Sequence, residues 1–300
     1  MAVTQQLSAQ TSGLGTGLGS SQGRIAFQGE PGAYSHQACL EAYPGLEPLP
    51  CHTFEGAIAA VREGRAELAM LPVENSTYGR VADIHSLLPG SGLYIIGEHF
   101  MRVRIALLAL PGATVEGVRE ALSHTVLLGQ CRTYLERHDI ARVTTPDTAG
   151  AAMQVAQEGD PSRAALASAL AGELNGLTVL ADGIEDNQHN TTRWLIMSPR
   201  KIEAAPTDGD VVTSFVFQVR NLPAALYKAM GGFATNGVNM TKLESYMLEG
   251  SFIATQFYAE IAGHPEQPAV ARALEELRYF SSRVSVLGVF PAADHRRAAP

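Results

Sequence analysis

Asn187-Gln188-His189-Asn190-Thr191-Thr192-Arg193-Trp194, followed at once by Leu195-Ile196-Met197, sets polar side chains, a guanidinium and the only tryptophan of the chain against a short apolar run. Such a run reads as a buried strand. A polar cluster leading into a buried strand must satisfy its hydrogen bonds at a cap, a turn or a bound ligand. Taken alone, the plainer reading is a turn in which Arg193 pairs with a carboxylate, since Asn and His are ordinary turn residues. What surrounds the stretch decides between the two.

Upstream lie two series of strand and helix segments that this strand closes. The first opens with the strand Arg24 to Gln28, the loop Gly29-Glu30-Pro31-Gly32-Ala33-Tyr34-Ser35, and a helix from His36 to Tyr43 stopped by Pro44-Gly45. Its glycines permit close backbone approach, and Ser35 is placed to cap the helix, so the loop either cradles a small carboxylate or is a tight turn. It has neither the G-K-[ST] ending of a P-loop nor G-x-G-x-x-G. Thr53 caps a helix through Ala57, Ile58 and Val61; the strand Leu68 to Leu71 exits through Pro72-Val73-Glu74-Asn75-Ser76-Thr77-Tyr78-Gly79. Loops at strand ends are where open α/β sheets bind ligands, and this one is rich in hydrogen-bonding side chains.

The second series, joined near residues 97 to 103, predicts a strand at Arg104 to Leu108, a helix from Thr114, and a strand at Thr125 to Leu128. Beyond them come Gly129-Gln130-Cys131, a helix to about His138, the strand Arg142 to Thr144, an Ala-rich helix capped at Pro146-Asp147-Thr148, and the strand Ala164 to Ala167, closed by Ser168. Alternation of this kind predicts parallel sheets, and the two series predict two lobes with a ligand cleft between them. Downstream, a polar stretch from Ser198 to Asp210 marks a boundary. The strand Val212 to Val219, a helix through Leu226 and Phe233, two strands paired across Glu249-Gly250, a helix over about 269 to 279 and the strand Val284 to Val289 make a βαββαβ order, the ferredoxin-like arrangement.

Composition narrows the function classes. The 300 residues are 46% hydrophobic and 17% charged, which describes a folded chain of about two domains. A net charge of −8 argues against a nucleic-acid or anionic-membrane partner. No apolar run of about 18 residues suggests a membrane span. Cys39, Cys51 and Cys131 lie far apart with no C-x-x-C pair, which suggests neither a zinc site nor a disulfide framework but reduced, cytosolic thiols. Residues 1 to 23, rich in Ser, Gln, Thr and Gly, read as a disordered lead-in rather than a targeting peptide.

From about residue 24 to 290 the chain resembles the prephenate dehydratases with a C-terminal ACT domain. The resemblance rests on Gly29-Glu30-Pro31-Gly32-Ala33-Tyr34-Ser35, on Pro72-Val73-Glu74-Asn75-Ser76 with Gly79 and Val81, on Ser123-His124 with Gln130-Cys131, and on Asn190-Thr191-Thr192-Arg193-Trp194, where Trp194 replaces the family's Phe. It implies a two-lobed α/β catalytic domain of parallel or mixed sheets, periplasmic-binding-protein-like, over 24–200, with lobes at 24–100 plus 181–200 and at 101–180. A linker at 201–210, a ferredoxin-like ACT regulatory domain at 211–291 and a tail at 292–300 complete the chain.

The implied activity is a cytoplasmic lyase that decarboxylates and dehydrates prephenate to phenylpyruvate in phenylalanine biosynthesis, with no cofactor and no metal. Thr192 is the implied catalytic residue, with Thr191 as its confound; a threonine hydroxyl acts by a hydrogen bond that strengthens in the transition state. Alternation along a strand would turn Thr192 and Arg193 to opposite sides, so Arg193 either clamps a substrate carboxylate or braces the lobe. Asn75, Ser76, Glu74, Tyr34, Ser35, Asn190, Ser123 and Gln130 complete the expected substrate site, Glu74 as an orienting group. Phenylalanine is the implied effector, held by Ala224, Ala225, Leu226, Asn239, Glu244 and Ser245. There Ala224 stands where the family has glycine, and Tyr246-Met247 replace Arg-Pro, so a Cβ narrows a place built for close backbone approach. A homodimer or homotetramer is expected. Two alternatives stay open: arogenate dehydratase, acting on the amino analogue, and a non-catalytic two-lobed sensor of small molecules.

Overall fold

The structure is a computed structural model, described here for residues 23–247 and 254–297. The expected lead-in of residues 1–22, the turn at Glu249-Gly250 and the last three residues of the tail lie outside the described residues. Strand β1 (Arg24–Gln28) leads to helix α1 (Tyr34–Ala42), β2 (Glu47–Cys51), α2 (Phe54–Arg62) and β3 (Leu68–Asn75). A tight hairpin turns β3 into β4 (Gly79–Arg80), and α3 (Ala82–Leu87) and a 3-10 turn precede β5 (Tyr94–Arg102). The next segment runs β6 (Ala106–Ala109), β7 (Glu120–Ser123), α4 (Thr125–Gln130), α5 (Arg132–Arg137), β8 (Ala141–Thr144), α6 (Thr148–Glu158), β9 (Arg163–Ala167), α7 (Ala169–Leu174) and β10 (Thr178–Asp182). The chain then returns through β11 (Thr191–Ser198).

Two sheets result. The first has the order β2-β1-β3-β11-β5 with β4 beside β3, and the second the order β10-β6-β9-β7-β8. Both are mixed, within the parallel or mixed sheets expected: β11 runs antiparallel to both β3 and β5, and β6 antiparallel to β9 and β10. The chain crosses between the sheets twice, after β5 and before β11, so the polar residues 187–190 sit on a crossover.

Three local expectations are corrected. Thr125 to Leu128 is the start of α4 and not a strand, capped by His124, whose ring accepts the Val126 N–H. The strand is β7, and the expected helix from Thr114 is one 3-10 turn, Val115–Gly117. Ser35 does not cap α1; the cap is Ala33, and the Ser35 hydroxyl accepts the Trp194 indole N–H at 3.0 Å. That bond gives the polar edge of the buried Trp194 a partner in a position where Phe would need none. Thr53 and Asp147 do cap their helices, accepting from Gly56 and Gly150.

Downstream, β12 (Val211–Val219), α8 (Ala225–Thr235), β13 (Met240–Met247), β14 (Ala254–Ala262), α9 (Pro268–Phe280) and β15 (Ser281–Pro291) form an antiparallel sheet ordered β13-β14-β12-β15, the ferredoxin-like arrangement expected. Alternation divides its strands. Phe215, Phe217 and Ile261 pack under the two helices, while Val212, Val216, Tyr258, Leu287 and Phe290 share a core with Ile95, Leu195 and Met197 of the first sheet. Gly288 marks the closest approach: a Cβ there would lie 2.1 Å from the Ile95 carbonyl oxygen. Residues 201–210 therefore do not tether a loose module, and Ala204 N–H bonds the Val289 carbonyl at 2.9 Å.

Candidate active site

β3 and β11 are antiparallel neighbours whose last pairs set Asn75 opposite Thr192 and Glu74 opposite Arg193. Because side chains alternate along a strand, the two pairs face opposite sides of the sheet and do different work.

On one side, Asn75 is locked. Its Oδ1 accepts the backbone N–H groups of Thr77 and Tyr78 at 2.9 and 3.0 Å. Its Nδ2 therefore donates elsewhere, to Asn190 Oδ1 at 2.7 Å and Thr192 Oγ1 at 3.0 Å. With every polar site of the amide used, Asn75 cannot rotate without losing several hydrogen bonds. Thr192, 9% exposed, receives a hydrogen bond and keeps its own hydroxyl proton to give away. Ser76 pins the loop, its hydroxyl donating to the His189 carbonyl at 2.7 Å and accepting the Thr191 N–H at 2.9 Å.

Asn190 connects this group to a cavity of about 340 Å³ between the sheets, lined by Thr77, Tyr78, Gly129, Gln130, Glu185, Asp186, Asn187 and Asn190. Thr192 is not among the lining residues, but it lies beside them, bonded to Asn75, which in turn bonds Asn190 on the wall. Two buried amide atoms on that wall, Asn190 Nδ2 and Gln130 Oε1, have no protein partner. Each costs about 1–3 kcal/mol unless something polar fills the space. No Lys or Arg lines the cavity, so an anion there would be met by amide and hydroxyl donors. The two acids on the wall are already engaged: Glu185 accepts from Ile105 N–H and Arg102, and Asp186 from Thr133 N–H. Among the described residues no three His, Cys, Asp or Glu side chains are grouped to hold a metal ion.

The lobes touch across this space. Tyr78, on the β3 to β4 hairpin, donates from its hydroxyl to the Val126 carbonyl at 3.2 Å, and Tyr34 does so to the Arg104 carbonyl at 3.0 Å. Gly32, at φ +92°, lies so close to α7 that a Cβ would come within 2.7 Å of Ala171 Cα. The loop expected to cradle a carboxylate is thus an interlobe contact, and Tyr34 and Ser35 have structural partners. Ser123, expected near substrate, is completely buried and donates to the Leu166 carbonyl at 2.7 Å.

On the other side of the strands, Arg193 is 2% exposed and surrounded by protein carboxylates. It donates to Glu98 at 2.7 Å, Glu74 at 2.9 Å and Glu260 at 2.8 Å. The expectation that it binds substrate is corrected on this ground, since no face of the guanidinium is left for a ligand carboxylate. Arg296, from the turn after β15, adds bonds to Glu98 at 2.7 Å and Glu260 at 2.7 Å, and Lys242 of β13 pairs with Glu74. Burial works against the charge of Glu260, but Arg193 and Arg296 outweigh it and pull the carboxyl down to about 2. Burial likewise opposes ionisation of Glu74, and Arg193 and Lys242 together hold it below its ordinary range.

The residues expected to bind an effector lie at the start of α8 and on or just before β13. Ala224 takes the left-handed conformation, φ +60° and ψ +16°, as the cap of α8, a conformation that favours glycine. Ala225 and Leu226 pack toward the core beneath the helices, and Asn239 is exposed. Alternation along β13 separates Ser245, exposed beside Leu243 and Met247, from Glu244. Glu244 turns to the other face and lies 3.7 Å from Lys242 and 3.6 Å from Arg80 of β4.

Comparison with known proteins places these features in a family setting. A family model for prephenate dehydratase matches residues 25–202. A bifunctional N-acyl-homoserine lactone acylase/prephenate dehydratase of Komagataeibacter europaeus is 54% identical over 273 residues, 91% of this chain and 97% of that protein. A chloroplastic arogenate dehydratase/prephenate dehydratase of Arabidopsis thaliana is 36% identical over 282 residues, 89% of this chain and 72% of that protein. The crystal structure of prephenate dehydratase from Arthrobacter aurescens in complex with L-Phe superposes with a TM-score of 0.82 at 30% identity, covering 90% of each chain.

Proposed function

The chain belongs to the prephenate dehydratase family, and from that membership we propose that it converts prephenate to phenylpyruvate in phenylalanine biosynthesis, with Thr192 as the catalytic residue. The observation that carries the assignment of Thr192 is its hydrogen bonding: Asn75 donates to Oγ1, which leaves the hydroxyl proton for the substrate.

The chemistry asks little else of the protein. As the ring carboxylate leaves as CO₂, its bonding electrons close the aromatic ring and expel the ring hydroxyl, which takes up one proton to leave as water. Aromatisation supplies the driving force, so the barrier falls mainly through positioning and through support of the departing oxygen. Thr192 hydrogen-bonds that oxygen as negative charge develops on it. The bond received from Asn75 polarises the threonine hydroxyl and makes it a better donor. Asn190 Nδ2 as donor and Gln130 Oε1 as acceptor, without protein partners on the cavity wall, take polar groups of the substrate. The cavity, about 340 Å³, lies near the lower end of the roughly 300–1,000 Å³ usual for small-molecule sites.

The C-terminal domain is an ACT domain that binds phenylalanine as feedback effector, a reading supported by the L-Phe complex of the Arthrobacter aurescens relative. The active form is a cytoplasmic homodimer or homotetramer. No described helix is long and apolar enough to cross a membrane.

Turnover of prephenate by purified protein, followed as phenylpyruvate beside a parallel reaction with arogenate, tests the assignment. Phenylpyruvate formation is the expected result. Turnover of arogenate alone would keep the site and overturn the substrate; phenylalanine binding without turnover of either would overturn the enzyme reading.

A further inference from the structure

Strand β13 edges the C-terminal sheet and turns Lys242, Glu244 and Tyr246 toward the first sheet, with Thr241, Leu243, Ser245 and Met247 outward. Lys242 thereby reaches the hairpin that carries Asn75. Its ammonium pairs with Glu74 Oε2, while Glu74 Oε1 accepts from Arg193 at 2.9 Å. The two oxygens of one carboxylate are thus divided between a cation of the catalytic strand β11 and a cation of the C-terminal domain.

We propose that Lys242 is a positioning residue of the dehydratase reaction: by holding Glu74 from the C-terminal domain, it fixes the β3 to β4 hairpin so that Asn75 meets Thr192. The proposal rests on the reading of Thr192 as the catalytic hydroxyl. Glu74 adjoins Asn75 in sequence, and the backbone pairs Glu74↔Arg193 and Asn75↔Thr192 are consecutive. Beyond Arg193 the β3/β11 register shifts, so the end of the ladder that carries the site is separated by an irregularity from the regular pairing behind it. Lys242 is 11% exposed at its side chain and Glu74 32%, so solvent and salt screen their pairing only in part.

The groups facing Glu74 leave it no equivalent second holder. Arg193 is shared with Glu98 and Glu260, and Arg296 is committed to the same two acids. Arg80 sits opposite Glu74 in the β3/β4 register, but its guanidinium lies 3.6 Å from Glu244. Among the described residues the other acid paired with Lys242 is Glu244, at 3.7 Å. Removing the ammonium therefore frees one oxygen of Glu74 and leaves the longer Arg80–Glu244 pair, 3.6 Å, to tie the hairpin to β13. A misplacement of the Asn75 amide by a fraction of an ångström weakens the bond that polarises Thr192, which lowers kcat rather than substrate affinity.

The test is steady-state turnover of prephenate by the full chain and by Lys242→Met, Lys242→Arg, Glu74→Gln and the double variant Glu74→Gln/Lys242→Met. Lys228→Met, an exposed lysine of α8, is the control for loss of one charge from the same domain. Lys242→Met is expected to lower kcat about tenfold with KM held within about twofold, and Lys242→Arg to recover most of the loss. In the Glu74→Gln background, adding Lys242→Met changes kcat by less than about twofold, because the carboxylate through which Lys242 acts is gone. A kcat for Lys242→Met within twofold of wild type overturns the proposal, as do losses that multiply independently in the double variant. Wild-type protein without prephenate turnover would sink the dehydratase reading instead. Amide exchange at Thr77 and Tyr78, whose N–H groups hold Asn75, then decides the hairpin: faster exchange in Lys242→Met supports the tie, and unchanged exchange refutes it.

Discussion

Replacing Glu260 by Gln removes one charge from a buried cluster in which three cations, Arg193, Arg296 and Lys242, meet three carboxylates, Glu74, Glu98 and Glu260. The Glu260 side chain is completely buried and accepts from Arg193 at 2.8 Å, Arg296 at 2.7 Å and Tyr258 at 2.6 Å. The variant leaves the cluster with an uncompensated positive charge, for which breaking a buried pair suggests a loss of about 3–5 kcal/mol. Proton linkage points the same way. The carboxyl is pulled from its ordinary value of 4.5 down to about 2. At about 1.4 kcal/mol per pH unit, that gap is worth about 3 kcal/mol. The sign follows from the direction. A carboxyl whose value is lower in the folded protein contributes fully above about pH 4.5, and the contribution fades as pH falls toward about 2. Urea unfolding of wild type and Glu260→Gln at pH 7 and at steps down to pH 3 measures both parts. The expected result is a variant weaker by about 3 kcal/mol at pH 7, with the difference shrinking below pH 4.5. A variant within about 1 kcal/mol of wild type at pH 7, or a difference that does not shrink in acid, would refute the reasoning.

Other perturbations probe other parts of the account. Ala224→Gly relieves a left-handed alanine at the cap of α8 and should stabilise the protein by about 1 kcal/mol, seen as a higher melting temperature. Gly288→Ala drives a Cβ to 2.1 Å from the Ile95 carbonyl oxygen. Because backbone must move to admit it, a loss of roughly 1–3 kcal/mol by denaturant unfolding is expected, and a neutral result would mean that the C-terminal sheet does not seat on β5 as described. Trp194→Phe restores the ring found in the family but strands the Ser35 hydroxyl and opens space in the core, at a cost of about 1–3 kcal/mol in the same assay.

The division into two sheets and a ferredoxin-like domain is legible in the sequence because strand and helix periods alternate cleanly there. Where the pattern is short, the reading fails for a physical reason. Thr125 to Leu128 is an apolar run of four, which a strand and a buried helical turn present alike, and only the His124 cap decides for the helix. Glu47–Cys51 carries two prolines, so its place as the edge strand β2 is masked, although an edge tolerates them. Strand direction is not carried by periodicity at all, and the antiparallel β11 is set by pairing across more than a hundred residues.

The site is legible in part. Asn75, Asn190, Thr192 and Gln130 come close together because they lie at strand ends, on the crossover and, for Gln130, at the end of α4 beside the cleft. The partners of Arg193 were missed, since they come from three remote stretches and no local spacing links them. A signal did exist: Glu98 and Glu260 are lone acids inside the apolar runs Ile95-Ile96-Gly97-Glu98 and Phe257-Tyr258-Ala259-Glu260-Ile261. A lone acid in a buried strand requires a cation, and a cation in a motif whose role is open is the natural partner to look for.

The most direct measurement is kcat for prephenate in Thr192→Val against Thr191→Val, neighbours that differ in the bond from Asn75. A hydroxyl that supports the leaving oxygen is worth on the order of 10²–10⁴ in rate. The account predicts a loss of that size in Thr192→Val, with the fold intact, and a Thr191→Val rate within a few-fold of wild type. A Thr192→Val enzyme that keeps near wild-type turnover would contradict it.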